Sequence, residues 1–562
     1  MELLQFLYIV PLNLAYKVTG KIPVKVRYGI IGGSFFVMIA FFLFCYSFPH
    51  TKVRFDYEQE GWLNMIPLGL IILMSVDRPL KVLRWNPMLG IPWAIYGIVS
   101  FIVSLFFDIG PGFLPFSVCV LFLFPCLYLV WNNRQDYDTL FALASKAMVV
   151  NLLIFFVISI LFYPMSEETV TYGRYMSSTA NPNTLGTIAA SSITCCLYLI
   201  FQNKRPVPLY MVTCAIASSM LILSESRTSF ISAFLQLGLF LIFYIFRYMK
   251  EHDWLKTMIR LCLLLLLVIT FFPINTALLS EKSDSVADVT QVSKQEEQES
   301  ENTTKADRKK EMAKANKKQG DNKDKKEKRS TRTEQKAERN KVGQKENLTA
   351  RNQEKGKNKA GQNEKREKQK NKTEQQEQEE QQASTSPIQE QTILDRFQTS
   401  GMDWNQLSSG RLGIWIAYLQ ATSWKGHLEE EIIVGDEDYR MWAHNVIIEL
   451  AYRFGIGVAL LYLFIMIYSG VYVLKSTFSK KFYEKNRYCF FPAIAITSFC
   501  VISMLEMVMF PLERDFVLLW FIGITPLFQG IEPHKGQRKK HRKRLYRILK
   551  YKWRKRRRET AV

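Results

Sequence analysis

"MWAHNVIIELAYRFGIGVALLYLFIM" occupies Met441–Met466. From Val446 onward it is apolar enough to cross a hydrocarbon core of ~30 Å, which takes ~20 residues of helix. Yet His444 and Asn445 stand at its mouth, and Glu449 and Arg453 lie inside it. Charges within a span are costly unless paired, and an i,i+4 spacing lets these two pair with each other. The stretch predicts one long span, 446–474, with a polar entrance and an internal ion pair.

The same apolar pattern recurs along the chain. Spans are expected near 28–48, 62–76, 90–107, 113–131, 146–163, 184–201, 208–223, 228–246, 257–279, 446–474, 489–509 and 513–528. The fold class is therefore all-α: a polytopic helical membrane protein with about 12 transmembrane helices. Residues 1–27 form an N-terminus that lies along the interface, and spans one to nine fill 28–279. A charged insertion covers 280–392, a structured loop 393–445, the last three spans 446–528, and a basic tail 529–562.

Charge fixes the expected orientation. Short loops such as "DRPLKVLRW", "QNKR" and "KSTFSKKFYEKNR" are basic, whereas "DIGPG", "SESR" and "PLER" between them are short or acidic. Lys and Arg in short loops mark the cytoplasmic side. Both termini are then cytoplasmic and the long loop 280–445 is extracytoplasmic.

The formal charge of +22 is uneven. Residues 529–562 hold 15 Lys/Arg against 2 Glu, directly after a span, where anionic lipid headgroups are the expected partner rather than nucleic acid. Residues 281–390 hold 28 Lys/Arg against 23 Asp/Glu with almost no apolar side chain. Such a tract has too little apolar surface to offset chain entropy and is expected to be disordered. The nine cysteines all fall in apolar blocks, with no disulfide framework or thiol-metal spacing. After the charged tract, "SSGRLGIWIAYLQATSW" reads as an amphipathic helix over 408–424 near the outer membrane surface. Ser408 or Ser409 would cap it, and Leu412, Trp415, Ile416 and Leu419 would form its apolar face.

With that orientation, the unusual polar residues collect outside. Arg174, Asn181 and Asn183 precede span six; Arg227 lies between spans seven and eight; Arg411 opens the amphipathic helix; His444 and Asn445 open span ten. Singly, each has an ordinary explanation. An arginine at a span end snorkels, a histidine at a helix start caps or packs, and asparagines before a helix make turns. "DED" at 436–438 reads as an exposed acidic turn. Together they suggest chemistry. Guanidinium forks match phosphate oxygens, and a neutral imidazole accepts a proton at physiological pH.

"STANPNTLG", "SESRTSF", "SGRLGIW" and "AHNVIIELAYRFGIG", in that order over roughly residues 175–465, resemble the bacterial O-antigen ligase / O-antigen polymerase superfamily. The resemblance implies a glycosyltransferase-C class fold. It implies transfer of a glycan from undecaprenyl pyrophosphate to an acceptor hydroxyl at the outer face of the cytoplasmic membrane, without metal or nucleotide sugar. It implies that Arg227, Arg411 and His444 are the catalytic residues. Arg174, Asn181, Asn183, Asn445 and Trp415 are the expected substrate-binding residues, with Trp404, Trp415 and Trp424 as lid and sugar platform. The chain departs from the family pattern in having one glycine, Gly435, where a G-x-G turn often stands. It also has Arg453 where an acid is common, and the long charged insertion is unusual. A polysaccharide polymerase is the leading expectation. A ligase acting on lipid, protein or wall acceptors is the alternative, and a lipid-linked glycan flippase the remote one.

Overall fold

The computed structural model describes residues 2–45, 57–82, 85–107, 112–166, 168–171, 173–179, 181–248, 254–280, 411–427, 432–433, 440–506 and 509–530. Residues 281–410, which include the charged tract, and the basic tail from 531 lie outside them. The described helices belong to one unit, Met1–Lys282 with Ile393–Val562. Among the described residues, nine helices are long and apolar enough to cross a membrane. Three shorter apolar helices, Gly61–Ser75, Arg487–Ser503 and Asp515–Phe528, accompany them.

Helix α1 (Glu2–Thr19) precedes α2 (Val24–Cys45), α3 (Tyr57–Ser75) and α4 (Pro87–Phe106). Then come α5 (Phe113–Val118), α6 (Phe124–Arg134), α7 (Tyr137–Phe162), α8 (Pro182–Phe201), α9 (Val207–Ser224), α10 (Arg227–Tyr248) and α11 (Trp254–Ser280). Beyond the charged tract lie α12 (Arg411–Ala421), α13 (Val446–Phe454), α14 (Ile456–Phe478), α15 (Lys480–Lys485), α16 (Phe490–Ser503) and α17 (Asp515–Gly523). Two ribbons of two-residue strands interrupt the helices: β1 (Val170–Thr171) with β2 (Arg174–Tyr175), and β3 (Ile432–Ile433) with β4 (Arg440–Met441). Such short strands carry no alternating pattern that sequence reading would detect.

The bundle is apolar outside and partly polar inside. On α4, Ile91, Ile95, Ile98 and Ile102 are exposed along one face, as a lipid-facing helix requires. Helix α8 lies at the centre, with Ser191, Ser192 and Thr194 buried. Thr194 donates to Gln236 Oε1 (2.7 Å), Gln236 to Ser232 (3.1 Å), and Ser232 to Ser498 (3.0 Å), tying α8, α10 and α16 together. Small polar side chains hold helices together where lipid supplies no hydrophobic drive.

Several expected spans are reshaped, each for a local reason. The fourth, expected at 113–131, runs to Arg134 as α5, a π-helical turn at Cys119–Leu123 and α6. Pro125 has no amide to offer Leu121, one helical turn back. The Leu121 carbonyl accepts instead from the Tyr8 hydroxyl (2.8 Å), and Val120 O from the Trp93 indole (3.0 Å). The fifth, expected from 146, starts at Tyr137, so much of a segment read as loop is helix. The eleventh, expected to reach 509, stops at Ser503. The twelfth, expected as helix over 513–528, is α17 followed by a 3-10 turn at Thr525–Phe528.

The tenth, 446–474, is not continuous. It breaks at Gly455, whose φ of +91° suits only glycine. The loop after α12 is laced into the break: His427 N donates to Tyr452 O (2.9 Å) and Ile456 N to Ser423 O (3.1 Å). A Cβ on Gly455 would lie 2.3 Å from Trp424 O, and one on Gly426 2.2 Å from Arg453 O. The apolar run conceals this break because hydropathy does not register backbone conformation.

The helix ends fall into two groups. Met165 N bonds Leu279 O (3.0 Å), joining the C-terminal ends of α7 and α11. The starts of α8, α10, α13 and α17 lie at this same end. At the other, Asn86 N bonds Phe528 O (2.9 Å), Asn132 Nδ2 bonds Thr525 O (3.1 Å) and Arg260 bonds Asn203 Oδ1 (2.6 Å).

Candidate functional site

The unusual polar residues meet where α8, α9, α12, α13 and α16 converge. Asn181, extended at the start of α8, caps it by accepting from Asn183 N (2.8 Å). That turns the Asn183 side chain outward to two partners. Its Oδ1 accepts from Arg174 Nη2 (2.6 Å), and its Nδ2 donates to Glu506 Oε1 (3.3 Å). Arg174 is also fixed by Nε donating to Ser224 O (3.0 Å) at the end of α9.

Glu506 is the hub. It lies three residues past the end of α16, its side chain 14% exposed. Arg411, on α12, donates from Nη2 to Glu506 Oε1 at 2.8 Å and from Nη1 to the Leu505 carbonyl. His444 Nδ1 stands 3.6 Å from the other carboxylate oxygen, beyond direct hydrogen-bond length but close enough for an ion pair once the imidazole is protonated. Burial pushes the Glu506 carboxyl up; the His444 imidazole and the Arg411 charge outweigh it and hold the carboxyl below its ordinary value.

His444 presents a side chain that is 36% exposed. Its φ is +48°, a left-handed conformation unusual for a residue with a Cβ. Asn445, next along, caps α13 by accepting from Ile447 N (3.0 Å) and Ile448 N (3.2 Å), and its amide donates to Met504 O (3.0 Å). Arg174, Asn183, Arg411, His444 and Asn445 therefore share one network, through Glu506 and the segment that carries it.

Arg227 opens α10 three residues beyond Ser224, the acceptor for Arg174. Gly186 lets this turn press onto α8, since a Cβ there would lie 2.5 Å from Ser226 Cβ. Arg227 is half-buried, and among the described residues no hydrogen bond or ion pair is found for it. Arg174 and Arg411 point their donors at protein acceptors, as Arg227 does not among the described residues.

Helix α12 ends at Ala421, short of the expected 424, and its buried face is Ile414 and Tyr418, packed on Tyr452 and Ala443. Leu412, Ile416 and Leu419, expected as its apolar face, point outward at 36%, 48% and 54% exposure. Trp415 is half-buried, with an indole N–H that is buried and has no hydrogen-bond partner among the described residues. Trp424 is 74% exposed. Trp404, Ser408, Ser409, Gly435 and Asp436–Asp438 lie outside the described residues.

The expected Glu449–Arg453 pair is present, at 2.5 Å and fully buried. Glu506 was missed, because the apolar run around it was assigned to span eleven. The available signal was a lone acid in "MLEMVMF", which is rare within a membrane segment and marks a polar environment.

Fold and site define a helical membrane protein with an arginine–carboxylate–imidazole cluster at one end of its bundle. Comparison with protein-family models, with curated proteins and with solved structures finds no match.

Proposed function

We propose that the chain is a membrane glycosyltransferase that polymerises glycan repeats carried on undecaprenyl pyrophosphate. The observation that carries this reading is the gathering of His444 and Arg411 on one carboxylate, Glu506, with Arg227, which has no partner among the described residues, at the same end of the bundle. In this reading twelve segments cross the cytoplasmic membrane, both termini are cytoplasmic and the site faces outward.

The donor pyrophosphate binds Arg227 and draws on Arg411, which exchanges part of its contact with Glu506 for phosphate oxygens. The acceptor hydroxyl oxygen attacks the anomeric carbon as the carbon–oxygen bond to pyrophosphate breaks. The bonding pair leaves with the pyrophosphate, whose growing charge the guanidinium groups stabilise. His444 takes the hydroxyl proton, and the ionised Glu506 beside it stabilises the imidazolium. One direct displacement inverts the anomeric configuration. Trp415, half-buried on α12, offers a sugar its ring. The exposed Leu412, Ile416 and Leu419 lie against lipid.

The test is transfer by purified protein in liposomes supplied with an undecaprenyl-pyrophosphate-linked repeat, products being resolved by length. A ladder of repeats from wild type and none from His444→Ala is expected. Lengthening by His444→Ala overturns its role. A deletion strain that accumulates long lipid-linked chains instead of single repeats points to a ligase. Translocation of the lipid-linked repeat without transfer points to a flippase.

A further inference from the structure

His444 occupies a backbone conformation that it would not adopt unaided, and the residues that hold it there lie behind the site. Ala443, fully buried, donates its N–H to Glu449 Oε2 at 2.9 Å. The other oxygen of Glu449 takes Arg453 Nε at 2.5 Å. The Arg453 guanidinium lies over the rings of Phe113, 5.1 Å away, and Trp442, 4.8 Å away. Glu449 is 0% and Arg453 2% exposed, so neither reaches a ligand. The two residues before His444 are thus both gripped, Trp442 by its ring and Ala443 by its amide. On the far side, Asn445 is fixed by capping α13 and by its bond to Met504.

Two buried charges beside one backbone amide are an expensive way to stabilise a helix, since an apolar pair of similar volume is often as good. The pair offers what apolar residues lack: a carboxylate acceptor aimed at one particular N–H. We propose that Glu449, oriented by Arg453, is the positioning residue of His444, clamping Ala443 N–H so that the left-handed turn presents the imidazole to Glu506 and to the acceptor hydroxyl. This assignment rests on the proposed role of His444.

The decisive comparison is between two full-length double variants that both remove the charge pair. Glu449→Gln with Arg453→Met keeps an acceptor for Ala443 N–H; Glu449→Met with Arg453→Met does not. In the liposome transfer assay the first is expected to keep a near-wild-type kcat. The second should lose at least about tenfold in kcat with KM for the lipid-linked repeat unchanged, as displacement of a reacting group does. Modification of His444 by diethyl pyrocarbonate, read by mass spectrometry, should be faster in the second than in the first. A purely stabilising pair would leave the two variants equal in kcat and in His444 modification, and equality overturns the proposal. Should the methionine pair fail to reach the membrane, Ala443→Pro removes the donor with the pair intact, and an unchanged kcat there overturns it equally. Absence of transfer by wild type sinks the polymerase reading alone, because the modification rates are measured without substrate.

Discussion

At Glu506 three effects compete, and their balance sets a pH dependence. Burial favours the neutral acid, but His444 and Arg411 favour the carboxylate and prevail. Its folded value is thus below the ordinary glutamate value. A lowered folded value stabilises the fold above the unfolded-chain value, and the contribution disappears as pH falls through the folded one. The melting temperature of the purified protein should therefore drop on the acid side of that range, and Glu506→Gln should flatten this limb. A variant with the full wild-type acid limb would remove Glu506 from the account. At Arg227, the proposed mechanism has replacement by Ala remove a charge-assisted hydrogen bond to the donor, so the donor's kcat/KM should fall about 10–100-fold. Arg227→Lys should restore only part of it, because an ammonium lacks the bidentate fork. Full activity of Arg227→Ala in liposomes would move the anion elsewhere.

At the scale of elements, the break between α13 and α14 controls how the loop meets the bundle. Gly455→Ala places a side chain at φ +91° and 2.3 Å from Trp424 O. It should destabilise the fold by about 1–3 kcal/mol from the backbone conformation alone, visible as a lower melting temperature in detergent. An unchanged melting temperature would mean that the loop detaches at no cost. The sequence made the helices legible through the length of their apolar runs, and made Arg174, Arg411 and His444 legible as neighbours once orientation was assigned. It hid this break, because glycine in an apolar run looks like any other small residue there. It did not mark which face of α12 packs on protein, because an apolar stripe does not say whether protein or lipid covers it; Ile414 and Tyr418, the latter with a polar tip, are the buried residues. It hid Glu506 because a helix end inside an apolar run leaves no mark on hydropathy.

At the scale of the whole molecule, the described helices form a unit that excludes Ser283–Thr392. A chain lacking those residues should reach the membrane and melt at the wild-type temperature. Loss of the folded bundle in that deletion would show that the tract contributes to it. The two-ended arrangement makes a second prediction. In a cysteine-free background, Ser166→Cys, near the site end, should react with an impermeant maleimide on intact cells, and Lys204→Cys, at the opposite end, only after permeabilisation. The reverse pattern would invert the orientation and place His444 on the cytoplasmic side.

The close approach of Gly426 and Gly455 has a consequence for descent. Each position is kept small by the other's backbone: a Cβ on one would strike Arg453 O and on the other Trp424 O. A lineage that replaces either glycine must first rebuild the connection, so the two should be retained or lost as a unit across relatives. An alignment in which one varies freely while the other stays fixed would show that the two segments do not meet in this way.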